Sequence, residues 1–401
     1  MEKYIGVDLN DKYAMVSHYA QGMSEPGTFS MVTGSEVYKI PLCAIKAEDG
    51  RTWLFGEEAR QFARKNERPC IEGLLKKALL HEPVEEELLF LFMKMLMGLF
   101  EQPHKEKRRQ KLAVTVEFMN MEYRKLFKRF AKWAGLPPEG LILLDYRESF
   151  YYYAYSQSPE LCIHDISLYY YTSKKLLYWQ LTRDKQAVPQ VVTISEKRYG
   201  AILENRDAEF ASIVQESLCG SYFSSVYLIG DGFDGDWMKK SLTVICRGRR
   251  AFMGKNLFSK GACYAAAAKS AGADWPYLYM GDNELRVNVG LKVKNQGKTE
   301  LLTFISAGEN WCEAKGEYEV ISGGDPSIEI WLTQPSGGKP QVRSLDLCGM
   351  PKREGRTTRL RITAKPIAAD QIHFCIRDMG FGEFVKSSDK VWEHTLKIHP
   401  D

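Results

Sequence analysis

The chain has 401 residues, of which 44% are hydrophobic and 26% are charged, a composition typical of a folded globular protein with more than one domain. Its formal net charge of +4 is small for this length, which argues against a general electrostatic attraction to nucleic acid or membranes. The most hydrophobic stretch, residues 88–100, contains Lys94 and is too short to span a bilayer.

The cysteines and the N-terminal residues predict the cellular compartment of the protein. The nine cysteines show no CxxC or Cys/His spacing, so we expect reduced thiols without a metal site. The first residues lead directly into a predicted strand, and no signal peptide is expected. These features together predict a cytoplasmic protein.

The first part of the chain begins with a predicted β-hairpin. Residues 4–11 alternate in polarity up to Asp8 and a tight turn, and residues 13–19 form the returning strand. Further strands and helices are predicted in order at 29–32, 38–44, 57–65, 85–100, 112–116, 120–134 and 141–144. Gly135 is expected to end the helix 120–134, because two prolines follow it at 137–138. The charged run 105–111 predicts a solvated loop.

A second hairpin is predicted later in the chain. Residues 161–167 form a similar unit with Asp165 at its turn, and 167–172 form the returning strand. The elements expected after it are a strand at 188–194, helix at 196–219, a strand at 226–229, a turn at 230–232 and a helix at 256–270. Two such units predict a duplicated α/β fold that closes around a nucleotide.

The pattern changes at about residue 283, where helical periodicity ends. Short alternating segments separated by Gly, Pro and Ser follow at 285–293, 301–305, 327–332, 342–347, 358–363, 371–376 and 391–398. This predicts an all-β sandwich over 283–400. The preceding α/β domain is predicted over 1–275, with halves at about 1–158 and 159–275.

Several segments in one colinear order resemble the DnaK-type heat-shock chaperones of the actin and sugar-kinase superfamily. Residues 112–118 are similar to that family's "tVPayF" strand, and 124–136 to its helix ending "iAGL". Further similar segments lie at 154–155, 226–232, 260–262, 344–351 and 355–362. The resemblance implies an actin-like ATPase fold followed by a peptide-binding β-sandwich.

The chain departs from that family where phosphate would bind. The family's first turn is Asp-Leu-Gly-Thr-Thr, whereas here Asn10, Asp11 and Lys12 follow Asp8 and Leu9. Glycine lets backbone N–H groups approach phosphate, while Asp11 adds a carboxylate that repels it and Lys12 partly offsets that charge. The second turn, taken at Asp165, carries bulky residues, and the stretch from there to Gly230 is short for the family's adenine-gripping subdomain.

Two interpretations of these residues stay open. The first is a vestigial nucleotide cleft that binds ATP or ADP and Mg²⁺ weakly, and the second is a set of residues that serve in turns only. Both concern Asp8, Lys12, Asp165, Gly230 and Gly232. The tyrosine clusters at 151–155 and 169–171 are expected to pack inside the old cleft, where Tyr169, Tyr170 or Tyr151 would occupy the space that a nucleotide would vacate.

Arginines concentrate in one part of the predicted sandwich. This cluster predicts either a solvated sheet face or a binding site for an acidic partner. Its members are Arg353, Arg356, Arg359 and Arg361.

The sequence therefore predicts a catalytically degenerate DnaK-like protein that binds a protein partner or an extended peptide, as a scaffold or assembly factor. No cofactor, nucleic acid or membrane is expected. The competing hypothesis is a slow ATPase or nucleotide-sensing switch that uses Asp8, Lys12 and Asp165. A filament-forming actin relative is disfavoured, because polymer contacts would have to accommodate the appended sandwich.

Overall fold

A computed structural model describes residues 2–100, 110–202, 205–272, 275–353 and 357–398. The chain forms two compact units, of which the first contains Met1–Thr182 and Ser195–Trp275 and the second Arg183–Ile194 and Pro276–Asp401. Most of the charged run 105–111 lies outside the described residues, although Lys111 belongs to a strand.

The first half of the first unit opens with the predicted hairpin. Its elements are β1 (Lys3–Leu9), β2 (Tyr13–Ala20), β3 (Gly27–Thr28), β4 (Ile40–Pro41), β5 (Cys43–Lys46), β6 (Trp53–Phe55), α1 (Gly56–Lys65), β7 (Ile71–Glu72), α2 (Leu74–Leu79), α3 (Pro83–Gly98), β8 (Gln110–Val116), α4 (Met121–Ala134), β9 (Leu141–Asp145) and α5 (Tyr146–Tyr155). Gly135 ends α4 in the left-handed conformation, which confirms that prediction.

The second half begins with another hairpin, one strand later than predicted. Its elements are β10 (Asp165–Tyr171), β11 (Leu176–Asp184), β12 (Gln190–Tyr199), α6 (Arg206–Ser217), β13 (Phe223–Ile229), α7 (Lys239–Ile245), β14 (Arg250–Gly254) and α8 (Leu257–Ala271). The helix predicted over 196–219 starts only at Arg206, because 195–199 continue strand β12.

The two halves have sheets of the same order. One reads β3-β2-β1-β8-β9 and the other β12-β11-β10-β13-β14. In each, the first strand of the hairpin pairs antiparallel with the second and parallel with the strand that follows a helical crossover. The described residues of this unit are therefore mixed α/β.

Helix α8 packs directly on the first half. A Cβ on Gly6 of β1 would lie 2.1 Å from the carbonyl oxygen of Ser259, and one on Gly261 would lie 2.1 Å from the carbonyl oxygen of Ser149 in α5. The hydroxyls of Ser17 and Ser259 also form a buried hydrogen bond of 2.7 Å. These glycines let α8 approach both β1 and α5 at backbone distance.

The second unit begins with a short parallel pairing between residues of β12 and strand β15. The strands that follow β15 in this unit form antiparallel sheets. Its strands are β15 (Tyr277–Tyr279), β16 (Asn288–Asn295), β17 (Lys298–Ile305), β18 (Gly316–Ser322), β19 (Ser327–Thr333), β20 (Gln341–Asp346), β21 (Thr358–Ala368), β22 (Gln371–Gly380) and β23 (Val391–Lys397). The pairing of 190–192 with β15 explains why 183–194 belong to this unit and not, as predicted, to the α/β domain.

Two four-stranded sheets share one hydrophobic core in this unit. Their orders are β17-β16-β19-β20 and β18-β21-β22-β23, and residues from both sheets form a single buried cluster. This is the arrangement of a β-sandwich. Seven of its strands match the predicted segments, whereas β18 was not predicted.

Candidate functional site

The candidate site forms around Asp8, the next-to-last residue of β1. Its backbone lies beside Met15 of β2 and Thr115 of β8, and the residue is only 1% exposed. The hydroxyl of Tyr146, the first residue of α5, donates a hydrogen bond of 2.5 Å to the Asp8 Oδ1 atom. Burial raises the pKa of Asp8 to about 7, although the Tyr146 hydrogen bond and the positive charge of Lys39 act in the opposite direction.

Three aromatic rings close the space beside this carboxylate. The ring of Tyr146 stacks on Phe258 of α8 with a centroid distance of 4.0 Å and an interplanar angle of 5°. Tyr170 of β10 meets both rings edge-on, at 5.8 Å from Tyr146 and 5.6 Å from Phe258. Aromatic pairs in these geometries are well packed and hold each other in place.

The cavity that remains next to Asp8 has a volume of about 20 Å³. That is room for about one water molecule, whereas pockets for drug-sized ligands measure roughly 300–1,000 Å³. The residues in its wall include Asp8, Tyr146, Tyr170, Phe258 and Gly230. The site is therefore closed to a nucleotide in this conformation.

The cations at the rim of the cavity are already paired. Lys39 forms an ion pair with Asp231, and its ammonium lies 4.8 Å from the centroid of the Tyr13 ring. Lys255 lies 3.7 Å from a carboxylate oxygen of Asp234. A phosphate entering here would have to compete with these carboxylates.

The first turn is held by its own side chains. The Asn10 Oδ1 atom accepts hydrogen bonds from the backbone N–H groups of Lys12 and Tyr13, at 2.9 and 3.1 Å. The Asp11 Oδ1 atom accepts one from the backbone N–H of Lys76 in the first turn of α2. The Lys12 side chain is exposed and is not part of the cavity wall, a position that Lys39 takes instead.

Asp165 does not lie at a turn, so this prediction was wrong. It is the first residue of β10, and its Oδ2 atom accepts a hydrogen bond of 2.7 Å from Gln180. The turn of the second hairpin lies at 172–175, closed by the Thr172 N–H and the Lys175 carbonyl. Counted from the last residue pair of each hairpin, the residue equivalent to Asp8 is Tyr170.

Because of this register, Asp8 and Asp165, the two acids expected to form one nucleotide site, lie apart. Asp165 precedes Tyr170 by five residues, and an extended strand rises about 3.3 Å per residue, so about 16 Å lies between them along β10. Because Tyr170 lines the Asp8 cavity, Asp165 cannot complete a metal site with Asp8. The apolar run 161–163 was mistaken for a strand, since much of it forms a 3₁₀-helix that begins at Pro159.

Tyr171 packs so closely against Gly230 and Gly232 that neither position has room for a side chain. Gly230 has a φ of +112°, and a Cβ there would lie 2.2 Å from the Tyr171 carbonyl oxygen. A Cβ on Gly232 would lie 2.3 Å from the Tyr171 ring. The turn leads into a 3₁₀-helix, Asp231–Phe233. Close packing on Tyr171 accounts for both glycines, and Gly230 alone of the two contributes to the wall of the Asp8 cavity.

Of the three tyrosines predicted as alternatives for this space, Tyr170 lies in the wall of the Asp8 cavity. Tyr169 faces the other side of β10, as the alternation of a strand requires, and its hydroxyl lies 2.5 Å from that of Ser217. Tyr151 accepts a hydrogen bond of 2.6 Å from the indole of Trp275. Tyr146 and Phe258, which complete the aromatic wall, were not predicted.

The predicted arginines that the structure describes are paired with acids. Arg353 donates two hydrogen bonds, of 2.8 and 2.6 Å, to the fully buried Asp378 carboxylate. Burial alone would raise the pKa of Asp378, but the hydrogen bonds from Arg353 and Ser388 outweigh it and hold that pKa well below its usual range.

Arg359 and Arg361, both on β21, face the unpredicted strand β18. Arg361 lies 2.7 Å from the Glu319 carboxylate, and Arg359 lies 3.5 Å from the same group. Arg356 lies outside the described residues. The basic surface expected for an acidic partner is therefore neutralised from within the unit at every described position. In the sequence, the pattern that marks this strand is the alternation of acids at 317 and 319.

Two family profiles match the chain. The one described as "Family of unknown function (DUF5716) C-terminal" matches residues 25–282, which is more than half of the chain. The chain belongs to the DUF5716 family. In this DUF5716 member, residues 284–398 match a second profile, "Domain of unknown function (DUF8552)". No curated protein matches the chain.

Two features are absent from the residues that the structure of this DUF5716 member describes. Within those residues, no helix has both the length and the apolar character needed to cross a membrane. Nor do they contain a group of three or more His, Cys, Asp or Glu side chains placed to hold a metal ion.

Proposed function

We propose that this protein is a catalytically silent, DnaK-like member of the actin and heat-shock ATPase superfamily that acts in the cytoplasm by binding a protein partner or an extended peptide. The observation that carries the proposal is the closed cavity beside Asp8. Tyr146, Tyr170 and Phe258 line that cavity and leave about 20 Å³, which is too little for a nucleotide.

The duplicated order of the two sheets supports an actin-like ancestry. Each half has a hairpin whose first strand also pairs in parallel with a later strand. Asp8 near the end of β1 and Gly230 after β13 lie in the wall of one cavity. In the family that the sequence resembles, such positions surround a nucleotide.

Phosphoryl transfer is poorly served by the residues present. It depends on metal-bound phosphate held by preorganised donors, and on charge stabilisation that amounts to many kcal/mol. In the first turn, the N–H groups of Lys12 and Tyr13 are bonded to Asn10. In β10, a tyrosine stands at the position equivalent to Asp8. Binding without catalysis is the function that this geometry supports best.

The second unit offers the backbone edges that an extended peptide can use. In its two sheets, β17, β20, β18 and β23 lie at the ends of the strand order. An edge strand presents N–H and C=O groups that a peptide can pair with by adding one more strand.

A slow nucleotide-sensing switch remains the second candidate, because Asp8 and Gly230 still share a cavity wall. It would require Tyr170 to rotate away. The small volume beside Asp8 and the position of Asp165 both weigh against it.

Thermal denaturation and calorimetric titration with ATP and ADP, with and without Mg²⁺, test the proposal. We expect no stabilisation at millimolar nucleotide, whereas a ligand at about 100 times its Kd would stabilise the fold by about 2.7 kcal/mol. A Mg²⁺-dependent shift that disappears in Asp8→Ala would overturn the proposal and favour the switch. Asp165→Ala is the matched control, since the structure places Asp165 away from the cavity.

A further inference from the structure

The second unit contains a cavity of about 260 Å³ at the loop that joins β19 and β20. Its wall is formed by Val287 just before β16, Leu332 near the end of β19, Gln341 at the start of β20, and residues of the intervening loop. Leu332 pairs with Val289 on one side and with Gln341 on the other, so these side chains share one face of the sheet.

The floor of this cavity is apolar. Val287 and Leu332 are each 4% exposed and belong to the hydrophobic core of the sandwich. The loop residues Gln334, Gly337, Gly338 and Lys339 are exposed. The cavity thus has two apolar side chains at its base and a polar rim that supplies more of its exposed surface.

The loop at the rim presents backbone donors. Gly337 and Gly338 both have positive φ, at +86° and +112°, and a Cβ at either would meet nothing within 4 Å. The Gly337 N–H closes the turn onto the Gln334 carbonyl at 3.1 Å. In the described part of the chain, the N–H groups of Gly338 and Lys339 make no hydrogen bond. Successive free N–H groups in a turn favour an anion.

The charge at the rim is positive. Lys339 is the charged side chain in the wall of this cavity, and within the described residues it has no ion-pair partner. The wall contains no carboxylate. A suitable ligand therefore combines an anionic group for the loop with an apolar body for the floor, which is the chemistry of an aliphatic carboxylate.

The size and place of the cavity indicate where that carboxylate comes from. At about 260 Å³ it lies just below the roughly 300–1,000 Å³ range of drug-sized pockets and suits a single residue. It adjoins the start of β20, which is an edge of its sheet. A peptide that pairs with this edge and ends at the cavity runs antiparallel to β20, so its last residue meets the loop.

We propose that this cavity binds the free carboxylate and the aliphatic side chain of the last residue of an extended peptide that pairs antiparallel with β20. The inference rests on the proposed peptide-binding function and specifies its ligand class. Apolar contacts with Val287 and Leu332 hold the side chain, while the N–H groups of Gly338 and Lys339 and the Lys339 ammonium hold the carboxylate.

Fluorescence polarisation of the full chain with a labelled peptide tests this. The probe has about six residues, alternates Thr and Val, ends in Leu, and is made with a free carboxylate or a C-terminal amide. We expect the amide to bind at least about tenfold more weakly, because it loses a charge-assisted contact. Lys339→Glu should weaken binding of the free acid by about tenfold or more, whereas Lys298→Glu, the same charge change at an exposed position in the same unit, should leave it unchanged.

Each of the other results would overturn the inference. Equal binding of acid and amide would exclude the carboxylate while leaving peptide binding by the unit intact. Competition by 4-methylpentanoate at the concentration at which the peptide itself competes would assign the cavity to small free acids. Absence of binding of either peptide up to about 1 mM would exclude this ligand class. The nucleotide titrations test the silent cleft independently of all three results.

Discussion

Replacing Asp8 by asparagine removes a buried carboxylate whose ionisation differs between the folded and unfolded chain. Burial places the pKa of Asp8 at about 7, against an ordinary value near 3.8. The hydrogen bond from Tyr146 and the charge of Lys39 favour the ionised form but do not offset its desolvation. Between these two pH values, the folded chain keeps a proton on Asp8 that the unfolded chain has released.

The size of the change in stability follows from the linkage between proton binding and folding. Below about pH 4 the proton is bound in both states, so its stabilising contribution is fully present there. That contribution is lost as the pH rises to about 7, at about 1.4 kcal/mol per pH unit, which sums to about 3–4 kcal/mol. Asparagine is neutral throughout. We therefore expect the free energy of unfolding of Asp8→Asn, relative to the native chain, to rise by about 3–4 kcal/mol between pH 4 and pH 8.

Chemical denaturation at several pH values from about 4 to 8 measures this difference directly. An offset caused by the hydrogen bonds of the new amide does not depend on pH and leaves the change intact. Asp236→Asn, the same substitution at an exposed residue, controls for the altered net charge. A difference between Asp8→Asn and the native chain that stays constant across the pH range would refute the burial argument.

Three further substitutions test the packing, each by denaturation and comparison of unfolding free energies. Tyr170→Ala should destabilise the chain by about 3–5 kcal/mol, because it leaves a void beside the rings of Tyr146 and Phe258; a loss below about 1 kcal/mol would mean that the ring is not part of the core. Arg353→Ala should cost about 3–5 kcal/mol by leaving the Asp378 carboxylate buried without its partner, and a neutral result would contradict the buried pair. Gly230→Ala should cost more than about 1 kcal/mol, since φ is positive and the Tyr171 carbonyl lies in the way; an unchanged stability would show that the turn can shift.

Local patterns in the sequence predicted most of the elements. The helix 120–134 is α4, and Asn120 accepts a hydrogen bond from the Tyr123 N–H at its start, while Gly135 ends it. The hairpin of β1 and β2 was also predicted, because alternation and a turn signal coincide there. Such features depend on neighbouring residues only, and one sequence contains all of the information they need.

The site depended on contacts between distant residues, and these were not predictable. Tyr146 is 138 positions from Asp8, and no spacing rule connects the two. The second hairpin was placed one strand too early because a short apolar run before Asp165 fits a strand and a 3₁₀-helix equally well. That error moved the expected acid to the wrong end of β10 and concealed Tyr170 as the residue equivalent to Asp8.

The contacts around Asp8 also bear on whether the two halves of the first unit can move as a nucleotide-driven switch. Ligand-driven closure requires walls that are apart without ligand and that meet when it binds. Here Tyr146 of the first half already stacks on Phe258 of the second, and Lys39 already pairs with Asp231. Helix α8 approaches β1 at backbone distance through Gly6. Separating the two halves here would pull apart packed rings and expose a buried carboxylate, so these contacts oppose a cycle of opening and closing.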